Sequence, residues 1–283
     1  MAKTEQQRRV ADRLWELIEP LIPPRPTPRG PGGRPRINDR AALEGILFVL
    51  DTGCRWRDLP EQLGCGSGHT AWRRLREWQD AGVWDRLHQL VLDELSDADV
   101  LDWSRGCLDA VSVRCRCGVG AVEKGGELTG RNPTDRGKAG SKYHLLCDAN
   151  GLPLHVLLSA ANTHDSMLFE PLLDTNPTVR GHQGRPGRPR CRPDKLHADK
   201  GYDFRRCRRY LTRRGIKVRI ARRGVEDKSK LGRVRWVIER TISWLLRFKR
   251  LGLRYDRTER TTLPLLTLAC TVINTRRLIK IEF

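Results

Sequence analysis

Apolar positions recur at helical spacing through the first hundred residues. Val10, Leu14, Leu17, Ile18 and Leu21 share one face, and Pro23-Pro24 ends the pattern. Leu43, Ile46, Leu47 and Leu50 predict a second helix, with Asn38 placed to cap it. Residues 56–63 and 70–78, separated by a Gly-Cys-Gly-Ser-Gly break, read as two helices joined by a turn, and 83–95 as another amphipathic helix. Between them, residues 23–36 are rich in Pro, Gly and Arg and cannot pack a core, so they read as a basic linker or arm.

After Trp103 the period changes. Residues 107–113, 143–148 and 152–158 are short, apolar and β-prone, and Asn150-Gly151 between the last two is a hairpin signal. Three strands in antiparallel succession are expected, with a Gly-rich, charged loop over 115–141. A helix, or a turn followed by one, over 160–174 and a basic, helix-breaking insertion over 180–192 follow. A strand then runs into Asp199, with a basic helix over 204–214 and an alternating strand over 215–220 behind it. The strongest late helix is 231–248, where Val234, Val237, Ile238, Ile242 and Leu245 share a face; a core helix over 261–278 closes the chain. The pattern divides the protein into an all-helical part, 1–100, and an α/β part, 101–283.

Charge narrows the partner. Lys and Arg outnumber Asp and Glu by 54 to 34, giving +20 over 283 residues, and a protein this basic meets a polyanion, with nucleic acid first. Arg73, Arg74 and Arg76 lie on the second helix of the helix-turn-helix candidate, with Trp72, Leu75 and Trp78 available for its inner face. That helix suits a DNA major groove; the same residues also fit a helical hairpin with a solvated basic face. No apolar run approaches the roughly 20 residues of a membrane span, so the chain is read as cytoplasmic. Nine cysteines at scattered positions, without zinc spacing, are expected as reduced thiols.

Three carboxylates stand out: Asp109 in the first strand, Asp199 ending the fourth, and Glu239 on the strongest late helix, roughly 120° from the centre of its apolar face. If the first and fourth strands are neighbours, these acids converge at a sheet edge, where α/β sites collect. Converging like charges need a cation. Oxygen-only ligands favour Mg²⁺ or Mn²⁺, and two such ions roughly 3.5–4 Å apart activate a hydroxyl and stabilise the leaving oxygen of a phosphodiester. The plainer readings are an Asp199 solvated in a loop beside Lys200, and an Arg235–Glu239 surface pair worth roughly 0.3–0.5 kcal/mol. Asp148, Asp165 and Asp203 read as turn or supporting carboxylates.

These stretches resemble the DDE transposases of bacterial insertion sequences, in the insertion-sequence-five-like group. The resemblance covers nearly the whole chain. It is carried by Trp56-Arg-Asp-Leu-Pro60, Leu108-Asp-Ala-Val-Ser-Val-Arg114, Gly140-Ser-Lys-Tyr-His144, Ala161-Asn-Thr-His-Asp-Ser166, His197-Ala-Asp-Lys-Gly-Tyr-Asp203 and Arg235-Trp-Val-Ile-Glu-Arg-Thr-Ile-Ser-Trp-Leu245. It implies a ribonuclease H-like α/β catalytic domain, a mixed sheet flanked by helices, behind a small helical helix-turn-helix-like domain. It further implies Asp109, Asp199 and Glu239 as a catalytic, metal-binding triad for about two Mg²⁺ or Mn²⁺ ions, and DNA contacts around Glu239 from Arg235, Arg247 and Lys249. The implied partners are the element's terminal inverted repeats and target DNA, bound by a homodimer, in a bacterial, nucleoid-associated setting. The chain departs from the group in having Ala110 and Val111 after the first acid, Gly232 where a Tyr is usual, and Leu246 where a Lys is usual. A DNA-binding protein without catalysis, and a ribonuclease H-like nuclease without strand transfer, fit the same residues.

Overall fold

The computed structural model describes residues 5–24, 36–116, 126–181, 188–224 and 228–280; for 5–10 and 228–234 it describes the backbone alone. Most of the expected basic linker, the centre of the loop after the first strand and the centre of the 180–192 insertion lie outside these residues. So do the side chains of Val10 and Val234.

Four helices come first: α1 (Glu5–Ile18), α2 (Asp39–Thr52), α3 (Gly68–Asp80) and α4 (Val83–Asp97). Asn38 caps α2 by accepting a hydrogen bond from the Arg40 N–H, and Gly53, at φ +70°, closes it in the left-handed region. Here the structure corrects the sequence reading. Residues 56–63 form two separate 3-10 turns, Trp56–Asp58 and Glu61–Leu63, rather than the first helix of a helix-turn-helix. Pro60 interrupts the run, and Gly64 at φ +66° ends it. The helix preceding α3 is α2.

The sheet follows: β1 (Gly106–Arg114), β2 (Gly130–Arg131), β3 (Ala139–Cys147) and β4 (Pro153–Ala160), then α5 (Phe169–Asp174), β5 (Lys195–Ala198), α6 (Arg205–Arg213) and β6 (Lys217–Ile220). β1 pairs antiparallel with β3, and β3 with β4, so the three expected antiparallel strands form. Gly151, at φ +83°, makes the turn of the Asn150-Gly151 hairpin. β5 then lies parallel to β1 on its other side and β6 parallel to β5, leaving β6 as an open edge among the described residues. Over 160–174 the second of the two expected forms appears, a 3-10 turn Asp165–Met167 followed by the short helix α5.

Three helices close the chain: α7 (Lys228–Leu246), α8 (Lys249–Gly252) and α9 (Glu259–Ile279). α9 is buried almost all round, as a helix between two layers must be. It packs on α1, α3 and α4 on one side and on β4 and α7 on the other. Most of its polar groups are bonded within that interior: Thr271 and Thr275 donate to carbonyls one turn back, Asn274 donates to the Pro153 carbonyl, and Thr271 meets His88 at 3.0 Å. One apolar cluster therefore runs from Leu14 and Trp78 in the N-terminal helices to Val237, Leu268 and Tyr143 around the sheet. The mixed sheet flanked by helices, behind an N-terminal helical part, is the α/β ribonuclease H-like arrangement the resemblance implies.

The Trp56 motif is a clasp between the two ends of the chain. The Trp56 indole N–H donates to Asp256 at 3.1 Å, and the buried Arg250 guanidinium grips the same carboxylate at 2.9 and 3.0 Å while donating to the Cys54 carbonyl. Cys54, Cys65, Cys107, Cys147, Cys191, Cys207 and Cys270 are reduced thiols, most of them buried. Cys115 departs from the expectation of reduced thiols and is disulfide-bonded.

Candidate active site

Two of the three expected acids are placed side by side by strand pairing. β1 and β5 run parallel, with Gly106 opposite Leu196 and Cys107 opposite His197. Asp109 and Asp199 each stand two residues beyond the last of these pairs, and the two-residue period of strands puts both on the face of Cys107 and His197. β1 continues past Asp109, which remains paired with Leu145 of β3. β5 stops at Ala198, and Asp199 caps the 3-10 turn Lys200–Tyr202 by accepting from the Gly201 N–H at 2.8 Å. The strand thus delivers its carboxylate to the C-terminal edge and turns away.

Asp109 is half-buried. It accepts from its neighbour's N–H, Ala110, at 2.8 Å and from the Arg235 guanidinium at 2.9 Å. Burial raises its carboxyl above the ordinary range, the Arg235 charge and the Ala110 N–H pull it down, and the nearby charge of Asp199 raises it again. Arg235 comes from α7, whose buried face of Val237, Ile238, Thr241 and Leu245 packs the helix against the sheet. The surface pair with Glu239 is therefore not what forms: Arg235 reaches the first acid instead. One nitrogen of its guanidinium is engaged there.

Glu239 lies one turn beyond Arg235 on the same flank, exposed, with no hydrogen bond or ion pair among the described residues. Among those residues no three of His, Cys, Asp and Glu lie close enough to hold a metal ion together. The structure assembles the Asp109–Asp199 pair and leaves Glu239 apart from it. The pair fits a hard divalent cation, being oxygen-only and partly buried, with a guanidinium now supplying positive charge to one of its members.

Tyr202, three residues after Asp199, is the site residue the sequence reading missed, although it stands inside the motif that carried the resemblance. Its ring is buried against Phe169, at 5.7 Å between centroids, and its hydroxyl is buried without a hydrogen-bond partner among the described residues. Burial, and then the charges of Asp109, Asp165 and Asp199, hold its phenol well above the usual range, so it stays a donor. Asp165 is tied to Lys142 at 2.7 Å, and Lys142 also donates to the Thr163 carbonyl.

The other carboxylates have structural duties. Asp148 is fully buried in the β3–β4 turn and accepts the N–H groups of Asp102, Asn150 and Leu152, while burial raises it to about 6. Asp203 accepts from Arg223 N–H and the Arg208 side chain, which hold it below the usual range.

The basic residues expected on DNA divide. Arg74 is fully buried, with a salt bridge to Asp39 at 2.9 Å and another to Glu77 at 2.9 Å, so it braces α3 against the start of α2 and is withdrawn from any groove. Its position on the wheel beside Ala71, Leu75 and Trp78 faces inward, whereas Trp72 lies at the surface under Arg76 at 4.4 Å. Arg73, Arg247 and Lys249 are exposed.

Comparison with known proteins agrees with this layout. Residues 10–88 match a family described as putative transposase of IS4/5 family, and residues 104–274 match the family described as transposase DDE domain. The chain is 59% identical over 121 residues to the insertion element IS402 uncharacterized 16.2 kDa protein of Burkholderia cepacia, covering 42% of this chain and 79% of that one. It is 46% identical over 145 residues to the putative transposase for insertion sequence element IS402 of the same organism, covering 51% and 67%. Among solved structures, the Mos1 transposase paired-end complex with left transposon end aligns over 96% of this chain and 98% of that one at 14% identity, with a TM-score of 0.25. With the DDE domain match spanning most of the sheet and the helices around it, the chain belongs to the DDE transposases of insertion sequences.

Proposed function

We propose that the protein cuts DNA at the ends of its insertion sequence and joins the freed 3′-hydroxyl to target DNA, working as a dimer that holds two ends. The observation that carries this reading is the adjacency of Asp109 and Asp199 at one sheet edge of a chain with a net charge of +20. Asp109, Asp199 and Glu239 would hold one or two divalent cations, which when bound polarise the attacking and leaving oxygens of the phosphodiester. The chain's own groups prepare that edge. The Gly201 N–H orients Asp199, Arg235 balances the charge of Asp109, and Tyr202 keeps a protonated hydroxyl within the electrostatic reach of both.

A division of labour goes with this reading, the helical part binding DNA and the α/β part cutting it. One observation favours a second reading, DNA binding without catalysis: Glu239 stands exposed and apart from the other two acids. The test is nicking of supercoiled DNA carrying the element's ends, titrated with Mg²⁺ or Mn²⁺, for the wild type and for Asp109→Ala and Asp199→Ala. Nicking that needs metal and is lost in both variants, with DNA binding kept, is the expected result. Unchanged nicking by Asp199→Ala sinks the site, and tight binding with no nicking by the wild type selects the second reading.

A further inference from the structure

Half of the net charge is concentrated in one stretch. Residues 205–223 hold ten Arg and Lys and no acid, against +20 for the whole chain. They build α6 and β6, the open edge of the sheet. Arg205, Arg209 and Arg213 recur every fourth residue and form one exposed stripe along α6, opposite the buried Cys207, Tyr210 and Leu211. Lys217 and Arg219 are exposed on β6. Arg219 is the register partner of His197 and Lys217 that of Lys195, so both lie on the sheet face that carries Asp199 and Asp109. None of these five side chains has an acidic partner among the described residues, whereas Arg206, Arg208 and Arg214 face Glu170, Asp203 and Asp174.

The stretch is also fastened to the candidate site. The Arg223 side chain donates to the Lys200 carbonyl at 3.2 Å, and its N–H to Asp203, in the turn that leaves Asp199. A helix of this length spans roughly 14 Å, over which duplex DNA presents about eight phosphates. Arginine suits phosphate oxygens because its fork donates two parallel hydrogen bonds.

We infer that α6 and β6 form a two-sided, sequence-independent track for the backbone of duplex DNA, wrapping the open edge of the sheet and ending at Asp199, separate from the α3 surface of the N-terminal part. The inference rests on the reading that the protein works on DNA, and places on this track the DNA outside the terminal repeat, flanking or target.

The test uses the full chain, with affinity measured from about 50 to 200 mM salt on two duplexes of equal length, one carrying the terminal repeat and one of unrelated sequence. The variants are Arg205→Ala/Arg209→Ala and Lys217→Gln/Arg219→Gln. Arg277→Ala/Lys280→Ala removes the same charge elsewhere, and far-UV circular dichroism checks folding. Each track variant is expected to lower the salt slope by about two on both duplexes, so that over this range its affinity falls about tenfold less than the wild type's. An unchanged slope in either variant overturns the inference and leaves the β6 charges as guards against edge pairing. So does an equal change in the Arg277/Lys280 control, or a change confined to the terminal-repeat duplex. A wild type that binds neither duplex defeats the DNA reading itself.

Discussion

A guanidinium nitrogen of Arg235 lies 2.9 Å from Oδ2 of Asp109, joining helix α7 to the first strand across 126 residues of sequence. The contact places a positive charge where the proposed function puts a cation. Arg235→Ala should therefore destabilise the metal-free protein by about 1–3 kcal/mol, since it leaves a half-buried carboxylate without its partner. Mn²⁺ should restore more stability to the variant than it adds to the wild type, because Arg235 no longer competes for Asp109. Thermal melts of both proteins with and without Mn²⁺ check this, and an equal gain in the two excludes competition.

The buried, unpartnered hydroxyl of Tyr202 separates stability from function. Tyr202→Phe removes a polar group that makes no bond in the folded protein, so the chemical denaturation midpoint should hold or rise, by up to about 1 kcal/mol. Mn²⁺ binding measured by calorimetry should weaken at the same time, if the protonated hydroxyl turns to bond a carboxylate once the cation is in place. Unchanged Mn²⁺ affinity would leave Tyr202 as a core residue.

Asp256 receives both the Trp56 indole and the Arg250 guanidinium in a buried setting. Asp256→Ala strands the Arg250 charge and should cost about 3–5 kcal/mol. The loss appears as a lowered urea midpoint, and limited proteolysis should then cut first around residues 53–67, which this clasp holds. A variant as stable as the wild type would mean that the clasp adds little.

His88 gives the fold a pH dependence. Burial lowers it to about 4, and it is held neutral between Thr271 and the Leu154 carbonyl. The buried His144 is likewise lowered to about 4 by burial. The unfolded chain protonates such a ring near pH 6.5 and the folded chain does not until about 4, so stability is full above about 6.5 and is lost as the pH falls toward 4. At pH 5 each such ring should cost about 2 kcal/mol relative to neutrality. Urea unfolding at pH 7.5 and pH 5 measures it, and a midpoint that does not move contradicts the neutral, buried histidine.

What the sequence determined by itself is what depends on neighbours a few residues apart. Apolar periodicity placed each of the helices and strands that surround the site, Asn150-Gly151 set the hairpin because a positive φ there requires a glycine, and the apolar run before Asp199 announced a strand that ends in a carboxylate. It also exposed the concentration of positive charge. Only the tertiary structure decided which groups meet. That Asp109 stands beside Asp199 depends on β5 pairing with β1, a contact between segments 90 residues apart that no local pattern encodes. Arg235 could equally have closed on Glu239, one turn away on its own helix; packing of α7 on the sheet carried it to Asp109 and left Glu239 in solvent. Arg74 had the composition of a DNA contact, yet the approach of α2 turned its face of α3 inward and bound it to Asp39. Local propensity acts through the backbone of a few residues, while side-chain partners are chosen by burial and charge across the whole fold, and a carboxylate or a guanidinium reads the same in sequence whichever partner it finds.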